Sequence, residues 1–113
     1  MEIEFNELDN GIRIIKLNGR LDTAGFNSID LKFTAYCAGE NARVLVDFSE
    51  VSFLASIGIR MLTMNAKSLS TRGGKLALLN PTAEVRNVLD MTGISPIIPV
   101  FNDLETANAA LMS

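Results

Sequence analysis

The chain has no histidine and no tryptophan, a single tyrosine and a single cysteine. Without histidine it lacks the usual general base of serine and cysteine hydrolases and the commonest metal ligand. Cys37 alone supplies neither a zinc thiolate cluster nor an internal disulfide, so no metal and no cofactor are expected, and a reducing compartment suits the chain. Basic residues are outnumbered 10 to 13, for a net charge of −3. Nucleic acid, whose phosphates demand a basic face, is therefore not an expected partner. No apolar run approaches the ~20 residues of a membrane span. The acidic opening Met1-Glu-Ile-Glu-Phe-Asn-Glu lacks the basic and apolar regions of a signal peptide. The expectation is a cytoplasmic protein without membrane association, and not an enzyme.

What is present is enough for a core. A hydrophobic content of 48% with 20% charged residues, over 113 residues, fits one folded domain spanning 1–113. Ile3 to Leu8 reads as a strand, Asp9-Asn-Gly11 as a hairpin turn, and Ile12 to Leu17 as a second strand. Asn18 to Gly25 reads as a loop, with Asp22 or Thr23 capping a helix whose Phe26, Ile29, Phe33 and Cys37 share a face until Gly39. Arg43 to Phe48 has the continuous apolar character of a central strand covered on both sides. Asp47 follows as a group that can hydrogen-bond a turn at Ser49-Glu50. A helix from Ser56 to about Thr71 stops at Gly73-Gly74, and Lys75 to Leu79 is the next strand. Gly73-Gly74 lacks the Lys and Ser/Thr of a phosphate loop and reads as a turn. Asn80-Pro81 predicts an N-cap with proline in the first turn of a helix carrying Val85, Val88 and Leu89. Ile97 to Phe101 predicts a last strand, at a sheet edge because of Pro99. Asn102-Asp-Leu-Glu105 resembles a capping box opening a final helix with Leu104, Ala107 and Leu111 inward. The order is ββαβαβαβα, an α/β domain with a mixed sheet flanked by helices.

The most informative segment runs from Val44 to Leu62, VLVDFSEVSFLASIGIRML. A strand leads to a short turn, and Ser56 falls where a helix begins. A hydroxyl there can cap the helix, act as a nucleophile or accept a phosphate, since the first turn of a helix favours negative charge. The helix also carries two apolar stripes. Ile59, Leu62, Ala66 and Leu69 form the expected core stripe, while Ile57, Met61 and Met64 lie almost opposite, where a surface helix ordinarily carries charge. Arg60 and Lys67 stand between them on the solvent side. The second stripe predicts either cover from within the fold or a docking surface, for which adaptable methionine is well suited.

The Val44–Leu62 segment resembles the signature of STAS domains, the bacterial anti-sigma-factor antagonists. Gly19-Arg-Leu-Asp-Thr23 is similar to that family's Gly-x-Leu-Asp loop. The resemblance implies a small α/β domain that acts by partner switching. The unphosphorylated antagonist binds an anti-sigma factor that is also a serine kinase of the histidine-kinase-like ATPase type. Phosphorylation of a serine at the start of this helix releases it, and a PP2C-type phosphatase reverses the modification. By position Ser56 matches the phosphoacceptor, Gly58 the glycine two residues later, where it lets the kinase approach closely, and Asp22 the loop aspartate. Asp22, Thr23, Ala55, Ile57, Gly58, Arg60, Met61 and Met64 form the implied partner face, with a homodimer as a further option. Where the family often has Asp-Ser-Ser-Gly or Asp-Ser-Ala-Gly, this chain has Ala55-Ser-Ile-Gly58. The alternative reading of the same fold is a constitutive STAS adaptor or scaffold subunit that no phosphate regulates.

Overall fold

A computed structural model describes residues 1–94 and 96–113. Its elements are β1 (Glu2–Glu7), β2 (Arg13–Leu21), α1 (Thr23–Tyr36), β3 (Arg43–Leu54), α2 (Ser56–Thr71), β4 (Lys75–Leu79), α3 (Ala83–Thr92), β5 (Val100–Phe101) and α4 (Leu104–Met112). The predicted order ββαβαβαβα is the observed one. The five strands form one sheet in sequence order. β1 pairs antiparallel with β2, and the pairs β2–β3, β3–β4 and β4–β5 are parallel. Each parallel step needs a crossover, which α1, α2 and α3 supply.

Alternation along the strands sorts the core into two layers. Val44, Val46 and Phe48 of β3 join Leu76 and Leu78 of β4 under α1, α2 and α3, with Ile29, Phe33, Leu62, Leu69, Val85 and Leu89. Leu45 and Ala77 face the other way and meet Ala107 and Leu111 of α4. Three helices therefore cover one face of the sheet and one covers the other. Cys37 is buried in the larger layer, and burial pushes its thiol up to about 12, consistent with a packing role rather than a reactive one.

Several boundaries differ from expectation. Asn18 to Leu21 and Ser49 to Leu54 are strand rather than loop and turn. Their pairing absorbs register shifts at Lys16/Asn18 and Gly19/Arg20, irregularities that break the alternating pattern on which a strand is read. Asp47 accepts a hydrogen bond from the Ser49 N–H at 2.9 Å, but within the strand and not at a turn. α3 is capped by Thr82, whose hydroxyl accepts from the Val85 N–H, and not by Asn80, which takes a left-handed φ of 53°. α4 is capped by Asp103 rather than Asn102, and Leu104 is 44% exposed rather than inward. Only Val100–Phe101 of the predicted last strand pairs, at the sheet edge that Pro99 implied. Ile97 and Ile98 instead turn back onto the Ile94 carbonyl.

Candidate functional site

β2 and β3 lie side by side and parallel, so their carboxyl ends deliver α1 and α2 from neighbouring points of one sheet edge. Arg20 pairs with Phe53 and Leu21 with Leu54 in the ladder. The Ala55 N–H then bonds the Leu21 carbonyl at 2.9 Å, tying the entrance of α2 to the end of β2. The two helix starts beside this seam are built differently. At α1, Asp22 is the N-cap and its carboxylate accepts from the Gly25 N–H at 2.8 Å. That bond, reinforced by the Arg20 guanidinium 3.4 Å away, holds the Asp22 carboxyl below its usual range despite partial burial.

At α2 the N-cap is Ala55, which has no side-chain acceptor to offer. Ser56 is the first helical residue, exposed, and its hydroxyl makes no hydrogen bond among the described residues. The capping role open to Ser56 on sequence grounds is thus not the one it takes. The Ala55 carbonyl receives the N–H groups of Gly58 and Ile59 at 3.0 and 3.3 Å. This leaves the Ser56 and Ile57 N–H groups without a protein acceptor among the described residues, as the opening of a helix dictates. Ser56, Ile57 and Arg60 together line a shallow surface depression of about 260 Å³.

The remaining predicted partner residues divide. Thr23, Arg60 and Met64 are exposed, Met64 at 63%, while Ala55 and Ile57 are half-buried. Met61 departs from expectation. It is only 3% exposed and sits in the main core, because α1 packs alongside α2 on the same sheet face and covers the flank on which Met61 lies. The second apolar stripe is therefore shorter than the helical wheel suggested, with Ile57 and Met64 its accessible members. Gly58 is also buried and serves packing. A Cβ there would stand 2.6 Å from Leu21 Cγ and 2.9 Å from Leu54 Cδ1, so the absence of a side chain lets α2 rest on the ends of β2 and β3. It is thus buried on the underside of α2, whereas Ser56 is exposed.

Two surface residues escaped the sequence reading. The Arg20 guanidinium lies 4.2 Å from the centroid of the Phe53 ring while also pairing with Asp22, and Phe53 is 40% exposed. Cation–π and ion-pair contacts thus order a small charged and aromatic platform at the ends of β2 and β3. Its signal would have been the pairing register itself, since Arg20 and Phe53 are ladder partners. Between α1 and α2 runs a groove of about 310 Å³ whose lining includes Phe26, Asp30, Arg60 and Met64. Among the described residues no set of three or more His, Cys, Asp or Glu side chains is placed to hold a metal ion. Nor, among those residues, is any helix long and apolar enough to cross a membrane.

Comparison with known proteins agrees with this geometry. A Bordetella bronchiseptica protein named as a candidate anti-sigma factor antagonist is 29% identical over 110 residues, 97% of this chain and 94% of its own. The anti-sigma F factor antagonist of Paenibacillus polymyxa is 23% identical over 91% of this chain and 88% of its own length. Among solved structures, an anti-sigma-factor antagonist (STAS) domain protein from Planctomyces limnophilus superposes with a TM-score of 0.87 at 23% identity, covering 98% of both chains. The Bacillus cell fate determinant SpoIIAA, in its phosphorylated form, gives 0.70 at 21% identity over 96% of this chain and 99% of its own. The STAS domain family model matches residues 6–107, nearly the whole ordered fold with both helix starts described above, and the chain belongs to the STAS domain family.

Proposed function

We propose that this protein is an anti-sigma-factor antagonist that binds an anti-sigma factor through the start of α2 and is released from it when Ser56 is phosphorylated. The observation that carries the reading is the state of Ser56. It occupies the first helical position, exposed, with an uncommitted hydroxyl beside two free backbone donors. A serine used as a cap would have its oxygen engaged; this one is available. The names of the similar proteins support the antagonist role, and the phosphorylated form of SpoIIAA is a precedent for the modification on this fold.

In the proposed cycle the partner is itself a serine kinase of the histidine-kinase-like ATPase type. The Ser56 oxygen attacks the γ-phosphorus of ATP, ADP leaves, and the hydroxyl proton passes to a base on the kinase. Phosphorylation adds about −1.5 to −2 charges. A partner seated over Ile57 and Met64 would have to strip water from that charge, at a cost of several kcal/mol. A difference of ~2.8 kcal/mol already weakens binding about a hundredfold, so release needs no rearrangement of the domain. A PP2C-type phosphatase restores the hydroxyl. The test is transfer of labelled phosphate from ATP by a cognate kinase, expected on the wild-type chain and lost in Ser56→Ala. Label that persists in Ser56→Ala overturns the assignment.

A further inference from the structure

Six arginines punctuate the sequence. Five have their guanidinium engaged within the fold. Arg13 donates to the Tyr36 and Ala38 carbonyls, Arg43 to the Leu111 carbonyl, and Arg72 to the Cys37 and Gly39 carbonyls. Arg20 pairs with Asp22, and Arg86 donates to the Asn102 side chain. Arg60 alone makes no hydrogen bond and no ion pair among the described residues. It is exposed and shares the surface depression at the start of α2 with Ser56 and Ile57.

Its place on the helix explains that sharing. Residues four apart on a helix are neighbours, and long side chains lean back over the turn that precedes them. Arg60 therefore stands one turn from Ser56 with both lining the same depression, and an acidic group at the first position with a basic one four residues later is the favourable order for such a pair. In the unmodified chain the serine offers no charge, which leaves the guanidinium without an anion on its own helix. The charged groups nearby do not fill the gap. Asp30 of α1 lines the far side of the α1–α2 groove without forming an ion pair to Arg60, and Asp22 is committed to the Gly25 N–H and Arg20.

We propose that Arg60 is the intramolecular receiver of the Ser56 phosphate: once the monoester forms, the guanidinium closes on its oxygens from one turn further along α2. The pairing rests on the reading of Ser56 as the modified residue. It gives phosphorylation a second consequence besides added charge. The phosphate is held against the domain by a charge-assisted hydrogen-bonded pair, and the free cation of the docking face is withdrawn from any acidic partner group in the same event. Lysine, a point charge without the planar fork, would reproduce the electrostatics and less of the geometry.

The test installs phosphoserine at position 56 of the full chain by genetic-code expansion, with Arg60 retained or changed to Arg60→Gln or Arg60→Lys. The phosphorus chemical shift is then titrated by NMR across the second ionisation of the monoester, near pH ~6 in a free phosphoserine. A cation in contact favours the dianion, so the titration midpoint of the arginine form should lie roughly half a unit or more below that of Arg60→Gln. Arg60→Lys should fall between, and the gap should narrow as salt is raised. Coincident midpoints for the arginine and glutamine forms overturn the pairing. Because the phosphate is installed without a kinase, this outcome is separate from the fate of the Ser56 reading, which falls if no kinase transfers phosphate to that residue.

Discussion

The starts of α1 and α2 sit at the ends of adjacent parallel strands, yet one is closed and the other open. α1 is sealed by Asp22, with its carboxylate on the Gly25 N–H and its charge shared with Arg20. α3 and α4 are likewise closed by Thr82 and Asp103. Only α2 begins at a residue, Ala55, that has nothing to cap with. An Ala in place of a capping residue forgoes about 1 kcal/mol, and the fold holds α2 in place by packing instead: Gly58 rests on Leu21 and Leu54, and Met61 is buried in the main core. The contrast teaches that the helix carrying Ser56 is anchored from beneath, which leaves its first turn free for something that arrives from outside.

Breaking the anchor should have the largest effect. Met61→Glu places a carboxylate in the main core and should destabilise the protein by about 3 kcal/mol or more, read as a fall in the urea midpoint; near-wild-type stability would return Met61 to the docking surface. Gly58→Ala should cost about 1–3 kcal/mol, because Leu21 and Leu54 must yield to the new methyl. An unchanged midpoint there would mean that α2 is not seated on those two side chains. Closing the open start is a gentler change of opposite sign. Ala55→Ser supplies the missing acceptor and should raise stability by about 0.5–1 kcal/mol in the same measurement. A loss of stability would show that the first turn of α2 is not free.

The smallest effect belongs to the closed start. The folded Asp22 carboxyl titrates below its ordinary value of 3.8, chiefly because of the Gly25 N–H, with Arg20 adding to it. Its contribution is therefore complete above pH 3.8 and fades as the pH falls through the lower folded value. Melting temperatures of wild type and Asp22→Asn should differ above that range and converge below it. Curves that stay parallel into strong acid would detach the cap from the Asp22 charge.

Much of this architecture is legible in the sequence because its elements carry strong periodic signals. The span of α2, Ser56 to Thr71, follows from its apolar spacing and the glycines after it, and Ile29, Phe33, Val85, Leu89, Ala107 and Leu111 point inward as their spacing requires. What escaped depends on contacts between distant segments. The carboxyl-terminal halves of β2 and β3 look like loops because their register shifts interrupt alternation. Met61 looks exposed on its own helix because a helical wheel contains no α1. Gly58 looks like an open point on the surface in the sequence, and only the fold shows Leu21 and Leu54 packed beneath it. The Arg20–Phe53 platform exists only once two strands are paired. Ser56 itself was found from local pattern, but its freedom from capping is a property of the neighbouring Ala55 and of the fold that positions it.

The decisive measurement is the affinity of the purified protein for the anti-sigma factor that the proposed function requires, with Ser56 unmodified and with phosphoserine installed at that position. The open start of α2, flanked by Ile57 and Met64, predicts binding of the unmodified chain and a loss of about a hundredfold or more, ~2.8 kcal/mol, on phosphorylation. Equal affinity for the two forms would contradict the switch at Ser56.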